Sequence, residues 1–170
     1  TIFFALKGAH YDGNAFASYA LSKGAKYAVI DNLAYDEEDK RYILVENVLH
    51  VLQQLAAFHR EKLTIPIIAI TGSMGKTTTK ELLGAALNEK YRCYFTQGNL
   101  NNHIGVPISI LGIRPTTEIA VLELGANHIG EIAMLCEIAK PTHGIILNID
   151  KVHLEGFGSF EGVIQAKDEL

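Results

Sequence analysis

Ile67-Ile68-Ala69-Ile70-Thr71-Gly72-Ser73-Met74-Gly75-Lys76-Thr77-Thr78-Thr79 is the stretch whose reading decides the fold. An apolar, mostly β-branched run suits a buried strand, and it stops at a turn bracketed by Gly72 and Gly75. Lys-Thr-Thr-Thr then opens a helical pattern. Glycine tolerates positive φ and close backbone approach, so successive N–H groups can turn inward toward an anion. The helix that follows adds unpaired N–H groups and the positive end of its dipole. Lys76 supplies a cation for terminal phosphates, and the Thr77 hydroxyl suits a Mg²⁺ ligand. The pattern predicts a phosphate-binding loop of Gly72, Ser73, Met74, Gly75, Lys76, Thr77 and Thr78. It departs from G-x-x-x-x-G-K-[ST] at Ile70, where the first glycine belongs, so the loop is tighter than usual. The plain alternative is a strand–turn–helix connection with a chance lysine. Three consecutive threonines weaken it, being poor helix formers with no packing reason to be there.

Working outward, strands and helices alternate on the C-terminal side. Helix is expected over 77–88, 104–111 and 130–139, and strand over 93–96, 119–124 and 144–149. Such alternation implies a mostly parallel sheet flanked by helices, with ligands beyond the carboxyl ends of the strands. On the N-terminal side, strands are expected over 1–6, 27–30 and 42–45, with a turn cluster at His10-Tyr11-Asp12-Gly13-Asn14. A helix over 15–23 places Phe16, Tyr19 and Ala20 on one face, and Gly24 caps it. A second, over 48–63, carries Val48, Val51, Leu52, Leu55 and Phe58 at helical spacing. Thr64-Ile65-Pro66 reads as a joint. The fold class is therefore α/β, a small N-terminal α/β domain over 1–64 followed by a partial P-loop domain over 65–170.

With 48% apolar and 20% charged residues, the 170-residue chain has the composition of a soluble globular protein. Its net charge of −4 and lack of Lys/Arg runs argue against a nucleic-acid polymer as partner. No apolar run approaches the roughly 20 residues of a membrane span, and no leader is visible, so a cytoplasmic location is expected. A monomer is expected too. Cys93 and Cys136 lie far apart without metal-type spacing and read as reduced, buried thiols. The start at Thr1 and stop at Leu170 both fall inside periodic patterns, so a fragment is expected.

Three further clusters fall at strand ends. Glu123 closes an apolar strand beside the loop, placed for Mg²⁺ directly or through water, or else as a solvent-facing strand-end acid. The Gln97-Gly98-Asn99-Leu100-Asn101-Asn102-His103 stretch suits neutral substrate recognition and equally suits an ordinary loop. After the last strand, His153 is flanked by Asp150 and Glu155 and reads as a metal ligand or a plain loop histidine. Lys167, on a helix from about 160, reads on spacing alone as an exposed helical lysine.

Taken together, the Thr71–Thr78 loop, Gly98-Asn99-Leu100-Asn101-Asn102 with Ile104-Gly105-Val106-Pro107, and Glu123-Leu124-Gly125-Ala126-Asn127-His128 resemble the Mur ligase family. His153-Leu154-Glu155-Gly156-Phe157-Gly158-Ser159, Ala166-Lys167-Asp168-Glu169 and Phe3-Phe4-Ala5-Leu6-Lys7-Gly8 with Asp12-Gly13 carry the resemblance across the whole chain. It implies a uridine-nucleotide domain over 1–64, truncated at its start, and an ATP-binding domain over 65–170, truncated at its end, with a C-terminal domain absent. The implied activity is an ATP-dependent amide ligase of peptidoglycan precursor synthesis, joining D-alanyl-D-alanine to UDP-N-acetylmuramoyl-tripeptide through an acyl phosphate. The implied cofactors are ATP and Mg²⁺. By motif, Lys76 would contact terminal phosphates, Thr77 and Glu123 would share one Mg²⁺ site, and His153 would serve a second. Lys167 would be the carbamylated lysine supporting that second metal, and Asn99 and Asn102 would lie on the substrate side. Asp150 and Val152 stand where the resemblance calls for small residues. The alternatives are an amino-acid-adding Mur-type ligase, a folylpolyglutamate synthase, whose loop differs at Ser73, Met74 and Thr77, and a non-catalytic nucleotide-binding module.

Overall fold

The alternating strands and helices build two separate parallel sheets, described in a computed structural model for every residue except Glu38, Val152 and His153. Two compact units result, Thr1–Leu52 and Gln53–Leu170. The first holds β1 (Ile2–Phe4), β2 (Lys7–Gly8), β3 (Tyr11–Asp12), α1 (Ala17–Ser22), β4 (Tyr27–Ile30) and β5 (Tyr42–Leu44). Its sheet runs β1-β4-β5, all parallel, over a core of Ala17, Leu21, Ala28, Val29, Ile30 and Val48. The turn cluster at His10–Asn14 belongs to a β2–β3 hairpin pairing Lys7 with Asp12 and Gly8 with Tyr11.

The face of the first helix that carries Phe16 and Tyr19 is not the one that meets the core. Phe16 and Tyr19 are 54% and 63% exposed, whereas Ala17 and Leu21 are buried. A 3₁₀ turn over Gly13–Phe16, capped by the Asp12 carboxylate, delays the α-helix and rotates its phase, so the i, i+4 pair Ala17/Leu21 meets the core. α2 (Val48–Lys62) behaves similarly: Val48, Leu52, Ala56 and Arg60 form its buried line, while Phe58 is 58% exposed. The division between units falls inside this helix, upstream of Thr64-Ile65-Pro66.

The second unit continues with β6 (Ile67–Thr71), α3 (Lys76–Asn88), β7 (Cys93–Phe95), α4 (Gly105–Leu111), β8 (Ile119–Glu123) and α5 (Glu131–Ala139). It then adds β9 (His143–Ile146), α6 (Leu154–Phe157) and α7 (Phe160–Lys167). The strand order is β7-β8-β6-β9, and every pair is parallel. Ile67, Ala69, Ala120 and Leu122 of the central strands pack with Val106, Ile110, Ile132 and Leu135 of the helices. From β6 the chain crosses to β7 on one side, returns to β8, and later reaches β9 on the other side. That reversal opens a crevice at the carboxyl ends of β8 and β6, where ligands bind in such sheets. β9 ends at Ile146 rather than 149, because the next residues leave the sheet to hydrogen-bond the phosphate loop. Both cysteines are free and partly buried, and burial pushes each thiol up from its usual range. Among the described residues, no helix is long and apolar enough to cross a membrane.

Candidate nucleotide site

β6 delivers the chain into the loop at Gly72, with φ of +152°, and Gly75, with φ of +79°, caps α3. Side chains rarely adopt such angles, which explains why glycines bracket the turn. The first helical bond runs from Thr79 N–H to the Gly75 carbonyl, so the earlier amides of α3 have no partner along the helix. Ser73 and Met74 are tied elsewhere: Ser73 N–H donates to the Asn148 carbonyl at 3.0 Å, and Met74 N–H donates to Asn148 Oδ1 at 2.9 Å. Asn148 Nδ2 returns a bond to the Met74 carbonyl at 3.0 Å, and Asp150 N–H donates to Ser73 Oγ at 2.8 Å. The segment after β9 thus holds the outer side of the loop.

Lys76 folds back across the loop, its ammonium donating to the Gly72 carbonyl at 2.8 Å and the Ser73 carbonyl at 3.3 Å. Burial pulls its pKa down, and the Glu123 carboxylate opposes that shift. Thr77 Oγ1 donates to Glu123 Oε2 at 3.0 Å, and Asn101 Nδ2 donates to Glu123 Oε1 at 2.8 Å. Glu123 is 1% exposed, so the solvent-facing reading of this acid is set aside. Its backbone is held as well, since Glu123 N–H donates to Thr96 Oγ1 at 3.1 Å. A hydroxyl and a carboxylate in contact at the mouth of a phosphate loop form a hard-oxygen donor pair that fits Mg²⁺, which keeps waters and phosphate oxygens as its other ligands. Among the described residues, no group of three or more His, Cys, Asp or Glu forms a separate metal cluster.

A cavity of about 260 Å³ adjoins Lys76, lined on one side by Asn101, Asn102 and His103 and on the other by Gly125, Asn127 and Glu131. Of the two asparagines expected on the substrate side, Asn102 lines it, but its Oδ1 already accepts from Ile104 N–H at 3.1 Å and Gly105 N–H at 2.9 Å, in the turn that leads into α4. Asn99 is exposed and does not line the cavity. Glu131 accepts from Asn127 N–H at 2.6 Å and His128 N–H at 3.2 Å; burial raises its pKa, and these bonds more than reverse the shift.

Lys167 is 2% exposed, which corrects its reading as a surface lysine; α7 turns it inward over the Phe157 ring at 5.5 Å. Burial lowers its pKa and the nearby Lys76 charge lowers it further, while Glu169 and Glu131 oppose both. Glu169 is fixed by Gly130 N–H at 2.6 Å and Ala133 N–H at 2.9 Å, at the start of α5. His153 lies outside the described residues. Sequence reasoning missed Asn101 and Asn148: both sit in runs where any polar loop residue reads alike, and only the register of the strands distinguishes them.

Two family models match the chain: the Mur ligase middle domain over residues 70–170, and the Mur ligase family, catalytic domain, over residues 1–60. A UDP-N-acetylmuramoyl-tripeptide--D-alanyl-D-alanine ligase from Bacillus subtilis (strain 168) is 41% identical over 170 residues, covering 99% of this chain and 37% of that protein. The relative of the same name from Escherichia coli (strain K12) is 39% identical over 169 residues, at 99% and 37% coverage. Among solved structures, MurF from Acinetobacter baumannii superposes with a TM-score of 0.90 at 39% identity, covering 99% of this chain and 37% of that one. MurF ligase from Thermotoga maritima in complex with ADP gives 0.89 at 38% identity, with 99% and 39% coverage. The chain therefore spans well under half the length of these relatives.

Proposed function

The chain belongs to the Mur ligase family, and from that premise we propose that it carries the nucleotide-handling part of an ATP-dependent amide ligase of peptidoglycan precursor synthesis. Its substrates are UDP-N-acetylmuramoyl-tripeptide and D-alanyl-D-alanine, with a uridine-nucleotide domain over 1–64, an ATP-binding domain over 65–170, and a cytoplasmic location. The observation that carries this reading is the Thr77–Glu123 contact beside Lys76 at the loop mouth. The γ-phosphoryl group passes from ATP to the terminal carboxylate of the tripeptide. The amine of D-alanyl-D-alanine then attacks the acyl carbon, and phosphate leaves. Catalysis of that kind is chiefly positioning and charge neutralisation.

Within it, the free amides at the start of α3 and the Lys76 ammonium take the phosphate oxygens, and Thr77 with Glu123 holds Mg²⁺. The ion supplies charge neutralisation on the phosphates. Lys167 is the site of carbamylation: its buried, depressed amine is neutral more often than a surface lysine, so its nitrogen adds to CO₂ and a proton departs. With His153, such a carbamate would hold a second metal, which would add charge neutralisation. The test is an assay of the protein encoded by the full reading frame. Phosphate release that requires UDP-tripeptide and is supported by D-alanyl-D-alanine, and not by single amino acids, is expected. Release supported by a single amino acid instead assigns an amino-acid-adding ligase and overturns the proposal, and no release overturns the ligase reading itself. The 170-residue chain alone is expected not to turn over.

A further inference from the structure

We propose that Asn101 is a positioning residue that fixes the Glu123 carboxylate, and that Gly125 is glycine to let it do so. This rests on the reading of Glu123 as a metal carboxylate. Glu123 is enclosed, and among the described residues each of its oxygens has a single side-chain donor: Thr77 on Oε2 and Asn101 on Oε1. Thr77 is exposed and its hydroxyl rotates, so it cannot by itself set the plane of the carboxylate. Asn101 can, because its own backbone is fixed at both ends. Its carbonyl accepts from Gly125 N–H at 2.7 Å, and its N–H donates to the Asn99 carbonyl at 2.7 Å.

The Gly125 position completes the device. A Cβ there would stand 3.0 Å from Asn101 Cγ, 3.1 Å from Nδ2 and 3.2 Å from Oδ1. Gly125 is not among the glycines with positive φ, so the backbone does not require glycine. The close approach of the Asn101 amide does. β8 therefore supplies both the carboxylate and, just beyond it, the gap in which the orienting amide lies. Partners that orient a metal-binding carboxylate change metal affinity by about 10- to 100-fold when removed.

The test is Mn²⁺ binding, followed by electron paramagnetic resonance in the presence of ADP, on the full-reading-frame protein. Wild type is compared with Asn101→Leu, Gly125→Ala, the double variant, and Glu123→Gln. Leucine keeps the branched heavy-atom skeleton of asparagine, with two somewhat bulkier methyl groups in place of the amide oxygen and nitrogen. Asn101→Leu and Gly125→Ala are each expected to weaken Mn²⁺ binding by about tenfold or more. The double variant is expected to be no weaker than Asn101→Leu, and metal-free ADP affinity to stay as in wild type. Mn²⁺ affinity within twofold of wild type in Asn101→Leu, while Glu123→Gln is weakened, overturns the inference and leaves the site reading intact. Additive losses in the double variant overturn the role given to Gly125. Unchanged binding in Glu123→Gln overturns the metal site and the inference together.

Discussion

Replacing Glu123 by glutamine separates its structural role from its electrostatic one. The carboxylate accepts one bond on each oxygen, from Asn101 at 2.8 Å and Thr77 at 3.0 Å. Glutamine can keep both. Its carbonyl oxygen faces the Asn101 amide, and its NH₂ donates to Thr77, whose hydroxyl turns to accept. Each bond changes from charge-assisted, worth about 1.5–3 kcal/mol, to neutral, worth about 0.5–1.5 kcal/mol. Two such changes cost about 2 kcal/mol, offset by the smaller desolvation penalty of a neutral amide in a site 1% exposed. The net change in stability is expected to be within about 1 kcal/mol, a shift of roughly 2–4 °C in Tm for a chain of this size. Nucleotide binding should respond very differently. Calorimetric titration with ADP is expected to show Mg²⁺ enhancing affinity in wild type, with the enhancement reduced at least about tenfold in Glu123→Gln. The Lys76 ammonium, no longer opposed by the carboxylate, should titrate at lower pH still, visible by NMR of the labelled lysine. A variant that unfolds refutes the bonding scheme, and one that retains the full Mg²⁺ enhancement refutes the metal role.

Other residues give sharper tests of stability. Arg60 is 7% exposed and donates to the Ala139, Leu63 and Lys140 carbonyls at 2.7, 2.8 and 2.8 Å, closing the C-terminal end of α5. Arg60→Ala is expected to cost about 2–5 kcal/mol in urea unfolding, and a loss under about 1 kcal/mol would count against that role. The Tyr42 hydroxyl is buried without a hydrogen-bond partner among the described residues, so Tyr42→Phe is expected to be neutral or stabilising by about 1–2 kcal/mol in the same assay. Asp31 feels a raising effect from burial, outweighed by the Lys7 and Asn14 hydrogen bonds and the Lys7 charge, so its folded pKa lies below 3.8. A depressed carboxylate stabilises above its unfolded pKa, and that stability disappears as pH falls through the folded value. Asp31→Asn should therefore flatten the decline in stability between about pH 5 and 3, measured by denaturant unfolding at each pH.

The architecture was legible because it is written in hydrophobic runs, while side-chain orientation was legible only in part. The strands ending at Thr71 and Glu123 stand out as apolar β-branched segments stopped by polar residues, and the parallel sheet follows from their alternation with helices. The spacing of Phe16, Tyr19 and Phe58 marks helices but does not say which of two overlapping stripes faces inward. Small residues, Ala17 and Ala56, took the inner positions, where close packing to a sheet leaves little room. Lys167 lies buried although lysine is among the residues least often enclosed, so no composition argument could place it. The division of labour among Asn99, Asn101 and Asn102 depends on strand register: Ile70 pairs with Glu123, and this sets which asparagine meets the carboxylate.

The same register accounts for the departure at Ile70. In the usual loop a glycine at that position begins the turn, but here Ile70 is a fully buried strand residue. The turn starts instead at Gly72, where a Cβ would lie 3.1 Å from Leu147 Cβ and the φ of +152° already excludes most side chains. The shortened loop turns its Ser73 and Met74 amides toward Asn148. The first amides of α3 remain the loop's backbone donors without a partner along the helix, while the Ser73 and Met74 amides form a tether. That tether joins the loop to the segment after β9 through the two bonds between Asn148 and Met74. A tighter loop thus exchanges free backbone donors for hydrogen bonds to the chain that leaves β9.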